Sequence, residues 1–424
     1  MISRRTLKQR MPGFVRTALL RLRDRLNGPG LEADVLRDIA FTPENTATPR
    51  LTLIMPDLRR DTAFGGVMTA LDLVSDMRTP LQDAGIALRI VSDAPIPPDG
   101  TVLDKVPGLA GVEVLSLADT GRKLPLRAAE ICLVYNWWIS INLTPALDAQ
   151  AKYFNAPERP RIHLIQDYEP QFYGYSAAHL LAHQAMGLGD GLWAVLNTRE
   201  LHDYWAQQGH EAARTFVFEP RMNTVLKPYT ETLGATEKTR TILVYGRPNV
   251  PRNAFFVIER GLKAWGAAHG HRHPDWRIVS AGTPHDDVDL GGGQSLRSLG
   301  KLSLEGYAGL LRETAIGLSL MVSPHPSYPP LEMAHFGVRV LTNAFTGKDP
   351  AARHDNLHAL TGFRPEDISD ALEVQISAFE AQPEGGLRAE SRMADFLSGD
   401  SISCAAPLAE AIVAEIGPNS ASVV

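Results

Sequence analysis

Cysteine is scarce in this chain, which has two, Cys132 and Cys404, among 424 residues. The two lie far apart and no C-x-x-C spacing occurs, so a disulfide framework or a zinc site has no basis. Cys132 stands in an apolar run and is expected to be a small core residue. This sparing use of cysteine fits a reducing compartment, and we expect a cytoplasmic protein.

Three further features are missing, and each removes a class of protein. No stretch of about 18 apolar residues occurs, so we expect no transmembrane helix. The formal net charge is −6, which argues against a general nucleic-acid binder, since such proteins are usually basic. The glycines after the first strand-like run do not form a G-x-G-x-x-G, so the dinucleotide-binding fingerprint is absent. What remains is an ordinary globular composition, with 44% hydrophobic and 21% charged residues.

Positive charge is concentrated at the start of the chain, in an expected N-terminal extension over residues 1–46. Against a single acid, Asp24, residues 1–25 carry Arg4, Arg5, Lys8, Arg10, Arg16, Arg21, Arg23 and Arg25. A secretory signal would need a longer apolar run and a small-residue cleavage site, and neither is found. Two interpretations stay open: a basic amphipathic helix on the inner, anionic face of a membrane, or a solvated helix or frayed tail.

From residue 50 onward, short strand-like runs alternate with helical patterns. A first series spans 50–58, 87–94, 111–118, 131–138, 161–168 and 191–197, and a second spans 241–246, 276–282, 296–302, 316–322 and 338–344. Most runs are almost continuously apolar, as expected of strands covered on both faces. The alternation predicts an α/β fold with two Rossmann-like, doubly wound parallel-sheet domains that face each other across a cleft.

Polar stretches set the expected limits of these units. Residues 41–50, rich in Pro, Thr and Asn, separate the extension from the first strand, and a polar stretch at 227–240 separates the two series. The expected division is an N-terminal domain at 47–225, a C-terminal domain at 226–395, and a C-terminal helix with a flexible tail at 396–424.

Ligands of open parallel sheets bind outside the carboxyl ends of the strands, so residues that follow a strand are the candidates for a site. Gly65 and Gly66 precede a helix in the first domain, where they either let a ligand approach the backbone or simply form a tight turn. Asp167 and Glu169 follow a buried strand on one face, with Tyr168 on the other. These carboxylates either face the acceptor hydroxyl or the reacting sugar, or serve as helix-cap or turn acids.

In the second domain, basic residues follow two strands of one sheet. Arg247 comes one residue past a strand, and Lys301 stands at the end of another. Both suit a diphosphate, with an ordinary surface position as the alternative for each. The pattern Asp287-x-Asp289 is a rival signal, because such a pair can hold a divalent cation on a donor diphosphate. Since two side-chain cations would make a metal unnecessary, we expect neither a metal nor a cofactor.

The stretch SPHPSYPPLEMAHFGVRVLTN, residues 323–343, is the most informative part of the chain. Pro329 and Pro330 suit the start of a helix, which would place Glu332 in the first turn, facing the cleft. A carboxylate there can accept two hydroxyls of a nucleoside pentose, or act as a capping-box acid. Tyr328 is placed to pack on the base or the sugar.

This stretch resembles the retaining glycosyltransferases of the two-Rossmann type, called GT-B, whose C-terminal domain carries a Glu-x7-Glu motif. Glu332 matches the second glutamate and Pro329 the proline, while Ala334 and Gly337 match the residues behind them. The first glutamate is replaced by Pro324, a departure at the position concerned with the ring hydroxyls of the sugar.

With that departure, the sequence resembles a narrower group, the WsaF-type rhamnosyltransferases, which use dTDP-L-rhamnose. Across residues 50–345, the matching segments are IHLIQDYEP, LVYGRP, LGKLS and SPHPSYPPLEMAHFG. The resemblance implies that Arg247 and Lys301 bind the diphosphate. It also implies that Tyr328 and Glu332 bind the nucleoside, and that Asp167 is the catalytic residue near the reaction centre.

The implied activity is transfer of L-rhamnose, with retention of anomeric configuration, from dTDP-L-rhamnose to a hydroxyl of a glycan or lipid-linked glycan acceptor. Such a reaction belongs to cell-surface polysaccharide synthesis, and no nucleic-acid partner is expected. Three alternatives stay open: a UDP- or GDP-sugar donor, a sugar-nucleotide epimerase of the same fold, and a non-catalytic glycan-binding protein.

Overall fold

The computed structural model describes residues 35–60, 65–188, 191–235 and 237–417. The basic segment at 1–25 and residues 418–424 of the predicted tail lie outside the described residues. Within the described part of the chain, no helix combines the length and apolar character needed to cross a bilayer.

The first domain is a parallel sheet with helices on both faces. Its strands are β1 Ala40–Pro43, β2 Arg50–Met55, β3 Ala87–Ser92, β4 Glu113–Ser116, β5 Lys123–Leu126, β6 Glu130–Val134, β7 Arg161–Ile165, β8 Leu192–Asn197 and β9 Arg214–Phe218. Its α-helices are α1 Gly65–Asp83, α2 Trp137–Phe154, α3 Ala177–Ala185 and α4 Arg199–Gln207. The main sheet has the order β4-β3-β2-β6-β7-β8-β9 with every pair parallel, and β1 pairs with β5 beside it.

The second domain repeats this plan with one reversed edge strand. Its strands are β10 Thr239–Gly246, β11 Arg277–Gly282, β12 Val288–Gly291, β13 Gln294–Ser298, β14 Thr314–Leu318, β15 Arg339–Asn343 and β16 Leu357–Leu360. The helices that follow the first domain are α5 Lys227–Thr230, α6 Phe255–His269, α7 Leu304–Glu313, α8 Tyr328–His335, α9 Pro365–Ala381, α10 Ala394–Ser398 and α11 Ala405–Ile416. The order is β12-β13-β11-β10-β14-β15-β16, and β12 alone runs antiparallel to its neighbour.

Strand β2 shows why apolar runs without alternation form the centre of these sheets. All six of its residues are buried. Leu51 and Leu53 belong to a core shared with α1, whereas Ile54 packs on the opposite face with Ile139 and Leu143 of α2. Burial on both faces removes the need for polar positions, and it confirms the predicted doubly wound architecture.

The last helix returns to the first domain. Leu408, Ile412 and Ile416 of α11 join the same apolar core as α1. The backbone N–H of Ile402 donates to Asp76 of α1 at 2.7 Å. The C-terminal segment therefore packs across the domain boundary and ties the second domain to the first.

Several local predictions are wrong. The stretch 41–50, interpreted as a spacer, contains most of β1, which is held by pairing with β5. The run 131–138 was predicted as one strand, but β6 ends at Val134 and α2 begins at Trp137. The side chain of Asn136 accepts from the backbone of Ile139 at 3.3 Å, and this N-cap converts the aromatic end of the run into a helix.

Candidate functional site

The carboxyl ends of the central strands of both sheets border one groove between the domains. Several contacts cross it. The hydroxyl of Ser323, beyond β14, donates to the carboxylate of Asp167, beyond β7. The hydroxyl of Tyr328, at the start of α8, lies 3.1 Å from the amide nitrogen of Asn197 and 3.4 Å from the hydroxyl of Thr69. The groove is therefore the place where the strand-end rule expects a ligand.

Asp167 lies at the centre of these contacts. Besides the Ser323 hydroxyl, its Oδ1 accepts the backbone N–H of Tyr168 at 2.8 Å. Its Oδ2 lies 3.7 Å from Nε of Arg252, in the loop after β10. Burial raises the pKa of Asp167, and the Arg252 charge and the Ser323 hydrogen bond oppose that rise. This carboxylate is held by groups from the opposite domain.

The residues after Asp167 alternate as predicted. Oε2 of Glu169 accepts the backbone N–H of Trp137, the first residue of α2, at 2.7 Å. The Tyr168 hydroxyl points the other way, to Nδ1 of His183 at 2.9 Å and Nε2 of His210 at 3.0 Å. Burial raises the pKa of Glu169 to about 8, and the nearby Asp167 adds to this rise. Glu169 thus serves as a helix-cap acid, one of the two roles the sequence left open.

The paired glycines begin α1 on the same side of the groove. The carbonyl of Gly66 accepts from the side-chain amide of Gln166 at 2.8 Å. A Cβ at Gly66 would lie 2.8 Å from the Tyr135 hydroxyl and 3.1 Å from Oε1 of Gln166, so a larger residue would have to displace these side-chain ends. A Cβ at Gly65 would meet open space, and its carbonyl accepts from the Thr69 hydroxyl at 2.9 Å. Gly66 thus packs closely against two side-chain ends, whereas Gly65 faces open space.

In the second domain, Arg247 and Lys301 lie on loops that are joined through Gly282. The N–H of Gly282 donates to the carbonyl of Gly300 at 2.9 Å, directly before Lys301. Gly282 has a φ of 146°, and a Cβ there would lie 2.3 Å from the carbonyl oxygen of Gly246 and 3.2 Å from Cγ of Arg247. The close approach that only glycine permits brings these two loops to one edge of the sheet, with Arg247 half-buried and Lys301 exposed.

Helix α8 carries the two residues expected at the nucleoside. It begins at Tyr328, so Pro329 and Pro330 fall within its first turn and Glu332 within the second. The predicted first-turn position of Glu332 is therefore wrong, because the helix starts earlier than the prolines suggested. The Ser327 side chain makes no cap bond, so the capping-box alternative is also wrong.

Glu332 shares its surroundings with a tyrosine that the sequence analysis missed. Burial raises the pKa of Glu332 to about 7. The Tyr307 hydroxyl of α7 is buried and, among the described residues, has no hydrogen-bond partner. Burial, and then the Glu332 charge, raise the pKa of Tyr307 well above its ordinary value. A polar ligand group placed between these side chains would satisfy both.

Arg252 and Ser323 are further site residues that strand-end reasoning did not select. The Arg252 guanidinium lies 4.1 Å from the ring centroid of Phe172, in the first domain, as well as near Asp167. Arg252 follows Arg247 by five residues in the same loop, a spacing that the sequence shows. The contact between Ser323 and Asp167 joins residues 156 positions apart, and no local pattern indicates it.

Both carboxylates of the Asp287-x-Asp289 pair accept backbone hydrogen bonds within the β12–β13 hairpin. Oδ1 of Asp287 accepts the backbone N–H of Ser298 at 2.8 Å. Oδ1 of Asp289 accepts that of Gly291 at 2.9 Å. Both carboxylates thus hold the turn and edges of the β12–β13 pair.

Comparisons with known proteins agree with this architecture. Residues 50–199 match the family model described as WsaF, N-terminal domain, and residues 240–373 match WsaF, C-terminal domain. Together these matches cover more than half of the chain. An O-antigen biosynthesis protein, RfbC, of Myxococcus xanthus is 34% identical over 184 residues, which are 43% of this chain and 14% of that protein. The chain thus matches only a small part of the length of this relative.

Among solved structures, the chain is similar to HepE of Anabaena, crystallised with UDP and glucose. The TM-score is 0.51 at 11% identity, covering 88% of this chain and 99% of the other. At this identity the likeness concerns the fold, and it agrees with two parallel sheets facing across a groove. Both halves of the chain match the corresponding halves of one family, and the chain therefore belongs to the WsaF family of GT-B glycosyltransferases.

Proposed function

We propose that this protein transfers L-rhamnose from dTDP-L-rhamnose to a hydroxyl of a glycan or lipid-linked glycan acceptor, with retention of configuration, in polysaccharide synthesis. One observation carries the proposal: a largely buried carboxylate, Asp167, faces basic groups from the second domain across one groove. Membership of the WsaF family and the partial likeness to an O-antigen biosynthesis protein support the donor and the pathway class.

The proposed donor site lies on the second domain. Arg247 and Lys301 would bind the diphosphate from two joined loops, and Arg252 lies in the loop of Arg247. Tyr328 and Glu332 would bind the nucleoside. No metal is invoked, because side-chain cations would balance the charge that develops on the leaving diphosphate. Removing one such contact typically costs on the order of 10²–10³ in rate.

The proposed reaction forms a bond between the acceptor oxygen and the anomeric carbon while the bond from that carbon to the phosphate oxygen breaks. The acceptor attacks from the side that the diphosphate leaves, and a phosphate oxygen takes the acceptor proton. The products are the glycoside and dTDP. Asp167 orients the acceptor or stabilises the reacting sugar and forms no covalent bond. Closing the groove excludes water from the reacting atoms.

A thermal-shift panel with dTDP-, UDP- and GDP-sugars tests the donor. We expect a selective response to dTDP-L-rhamnose, since a ligand at 100 times its Kd adds about 2.7 kcal/mol to the unfolding free energy. A selective response to a UDP- or GDP-sugar would replace the proposed donor. Incubation with dTDP-L-rhamnose and no acceptor, followed by analysis of the sugar nucleotide, would reveal an epimerase.

Variants of the basic residues test the site itself. Arg247→Gln and Lys301→Gln should each remove most of the shift, because each loses a charge-assisted contact to the diphosphate. Arg260→Gln on α6 is the matched control, since Arg260 is exposed and its guanidinium lies 5.6 Å from the ring centroid of Phe256. An undiminished shift in both site variants would refute the assignment.

A further inference from the structure

Lys348, in the turn after β15, is a buried lysine whose ammonium group hydrogen-bonds to backbone carbonyls. It is 3% exposed. Its Nζ donates to the carbonyl of Met321 at 2.9 Å and approaches that of His325 at 3.5 Å. Burying an ammonium is costly, and here the compensation comes mainly from backbone carbonyls of one segment, residues 321–325.

That segment is fixed at several points. The Asn343 side chain accepts the N–H of Met321 at 2.6 Å and donates to its carbonyl at 2.8 Å. The Ser323 hydroxyl accepts the N–H of His325 at 3.0 Å, and Nδ1 of His325 accepts that of Ser327 at 2.9 Å. These bonds leave the Ser323 hydroxyl proton directed at Asp167 in the other domain.

The surroundings of Lys348 are charged on both sides. Its pKa is lowered by burial to about 8, while Asp167 and Glu200 act to raise it. Burial and the charges of Arg353, Lys348 and Arg252 lower the pKa of His325 to about 3. Lys348 therefore lies among the groups that determine the electrostatic potential at Asp167.

We infer that Lys348 is a positioning residue for glycosyl transfer: by clamping residues 321–325, it holds the Ser323 hydroxyl on the Asp167 carboxylate when the two domains meet. The inference rests on the proposed role of Asp167. The segment 321–325 includes Pro324, which stands where the GT-B motif has its first glutamate. In place of that glutamate, the segment acts through the Ser323 hydroxyl, which Lys348 holds in position. Lys348 itself need not touch the substrate.

The second domain offers a matched control in Lys238, directly before β10. Lys238 is 6% exposed, and its Nζ donates to the carbonyls of Leu311 at 2.9 Å and Phe336 at 2.6 Å. Burial lowers its pKa to about 7. It joins the ends of α7 and α8, whose last residues are Glu313 and His335, rather than the segment that contacts Asp167. Lys348 and Lys238 thus share burial and bonding but differ in what their segments contact.

The experiment compares Lys348→Met, Lys238→Met and Ser323→Ala in the full chain. The probes are dTDP binding and the slow single-turnover transfer from dTDP-L-rhamnose to water that remains when no glycan acceptor fills the groove. Lys348→Met and Ser323→Ala should lower the saturating rate roughly 10- to 100-fold, the scale of a misplaced catalytic group, with dTDP affinity changed less than threefold. Lys238→Met should lower the melting temperature and leave the rate near that of the wild type.

The double variant Lys348→Met/Ser323→Ala sharpens the test. Because both residues act through one hydrogen bond to Asp167, their effects on the rate should not add. Additive effects, or equal rates for Lys348→Met and Lys238→Met, would overturn the inference. If Lys348→Met does not fold, a wild-type rate in Ser323→Ala overturns it equally. Asp167→Asn distinguishes a failure of the proposed function from a failure of the inference about Lys348. Full activity in this variant refutes the proposed function.

Discussion

Buried charge is held differently at the two ends of the strands in the first sheet, which we call the amino edge and the carboxyl edge. At the amino edge, Arg50 and Arg89 converge on Glu130, which is fully buried. Glu130 accepts from Arg50 at 2.8 and 3.0 Å, from Arg89 at 2.7 Å, and from the Thr52 hydroxyl at 2.5 Å. At the carboxyl edge, Asp167 lies 3.7 Å from Arg252, its one ion-pair contact within the described part of the chain.

This difference indicates that the amino edge contributes to stability and that the carboxyl edge carries the reactive groups. At the amino edge, each charged group has a partner of opposite charge within the same domain, and the hydrogen bonds between them are short. Asp167 and Glu169 at the carboxyl edge have raised pKa values, because burial outweighs the groups that stabilise their charged forms. Shifted carboxyl groups in a groove are typical of functional sites.

Removing Glu130 should have the largest effect. Glu130→Gln leaves two buried guanidinium groups short of their shared partner, which costs about 3–5 kcal/mol of unfolding free energy. Urea or thermal unfolding measures it. Glu113→Gln is the control, because Glu113 contacts Arg50 at 3.3 Å but is 50% exposed, and exposed pairs contribute about 0–1 kcal/mol. Equal costs for the two variants would contradict the comparison.

Removing the charge of Asp167 should affect rate rather than stability. Asp167→Asn keeps an oxygen that can accept from Ser323, so we expect a rate lower by on the order of 10²–10³ with dTDP affinity retained. Because burial raises the pKa of Asp167, the charged form destabilises the fold as pH rises. The unfolding free energy should therefore not fall as it does in Glu130→Gln. A large loss of stability with normal turnover would reverse the assignment of the two edges.

The sequence predicts the central strands well, because strands covered on both faces are nearly continuous apolar runs. It misses the short strands β1 and β5, four residues each, which exist through pairing with one another. It also extends β6 into Trp137 and Trp138, since apolar character alone does not distinguish a strand from a helix start. The cap that decides this comes partly from Glu169, 32 residues away.

The site divides in the same manner. Asp167, Arg247 and Lys301 follow strand ends, and the strand-end rule selects them from sequence. The contact of Ser323 with Asp167 depends on how the two sheets are placed against each other, and Lys348 is bonded to the segment that carries Ser323. Helix α8 also begins before its prolines, which moves Glu332 one turn further along. Local pattern thus finds residues that a strand carries to the groove, and misses those that only the packing of two domains brings there.

Glu169, at the carboxyl edge, and Glu332, on α8 of the second domain, allow the smallest and most specific test. Burial raises their pKa values to about 8 and about 7, from an ordinary value of 4.5. Between the ordinary and the raised pKa, the folded state binds one proton more than the unfolded state. The unfolding free energy therefore falls as pH rises, by at most about 1.4 kcal/mol per pH unit for each group.

The observed slopes should be smaller than this limit, because both carboxyl groups are partly exposed to the groove and solvent screens them. Glu169→Gln keeps the acceptor for the Trp137 N–H and should flatten the decline from about pH 4.5 to 8. Glu332→Gln should flatten it only up to about pH 7. Chemical denaturation at half-unit pH steps distinguishes the two. If Glu169→Gln leaves the slope between pH 7 and 8 unchanged, Glu169 is not the group that titrates there, and the contrast between the two edges rests on Asp167 alone.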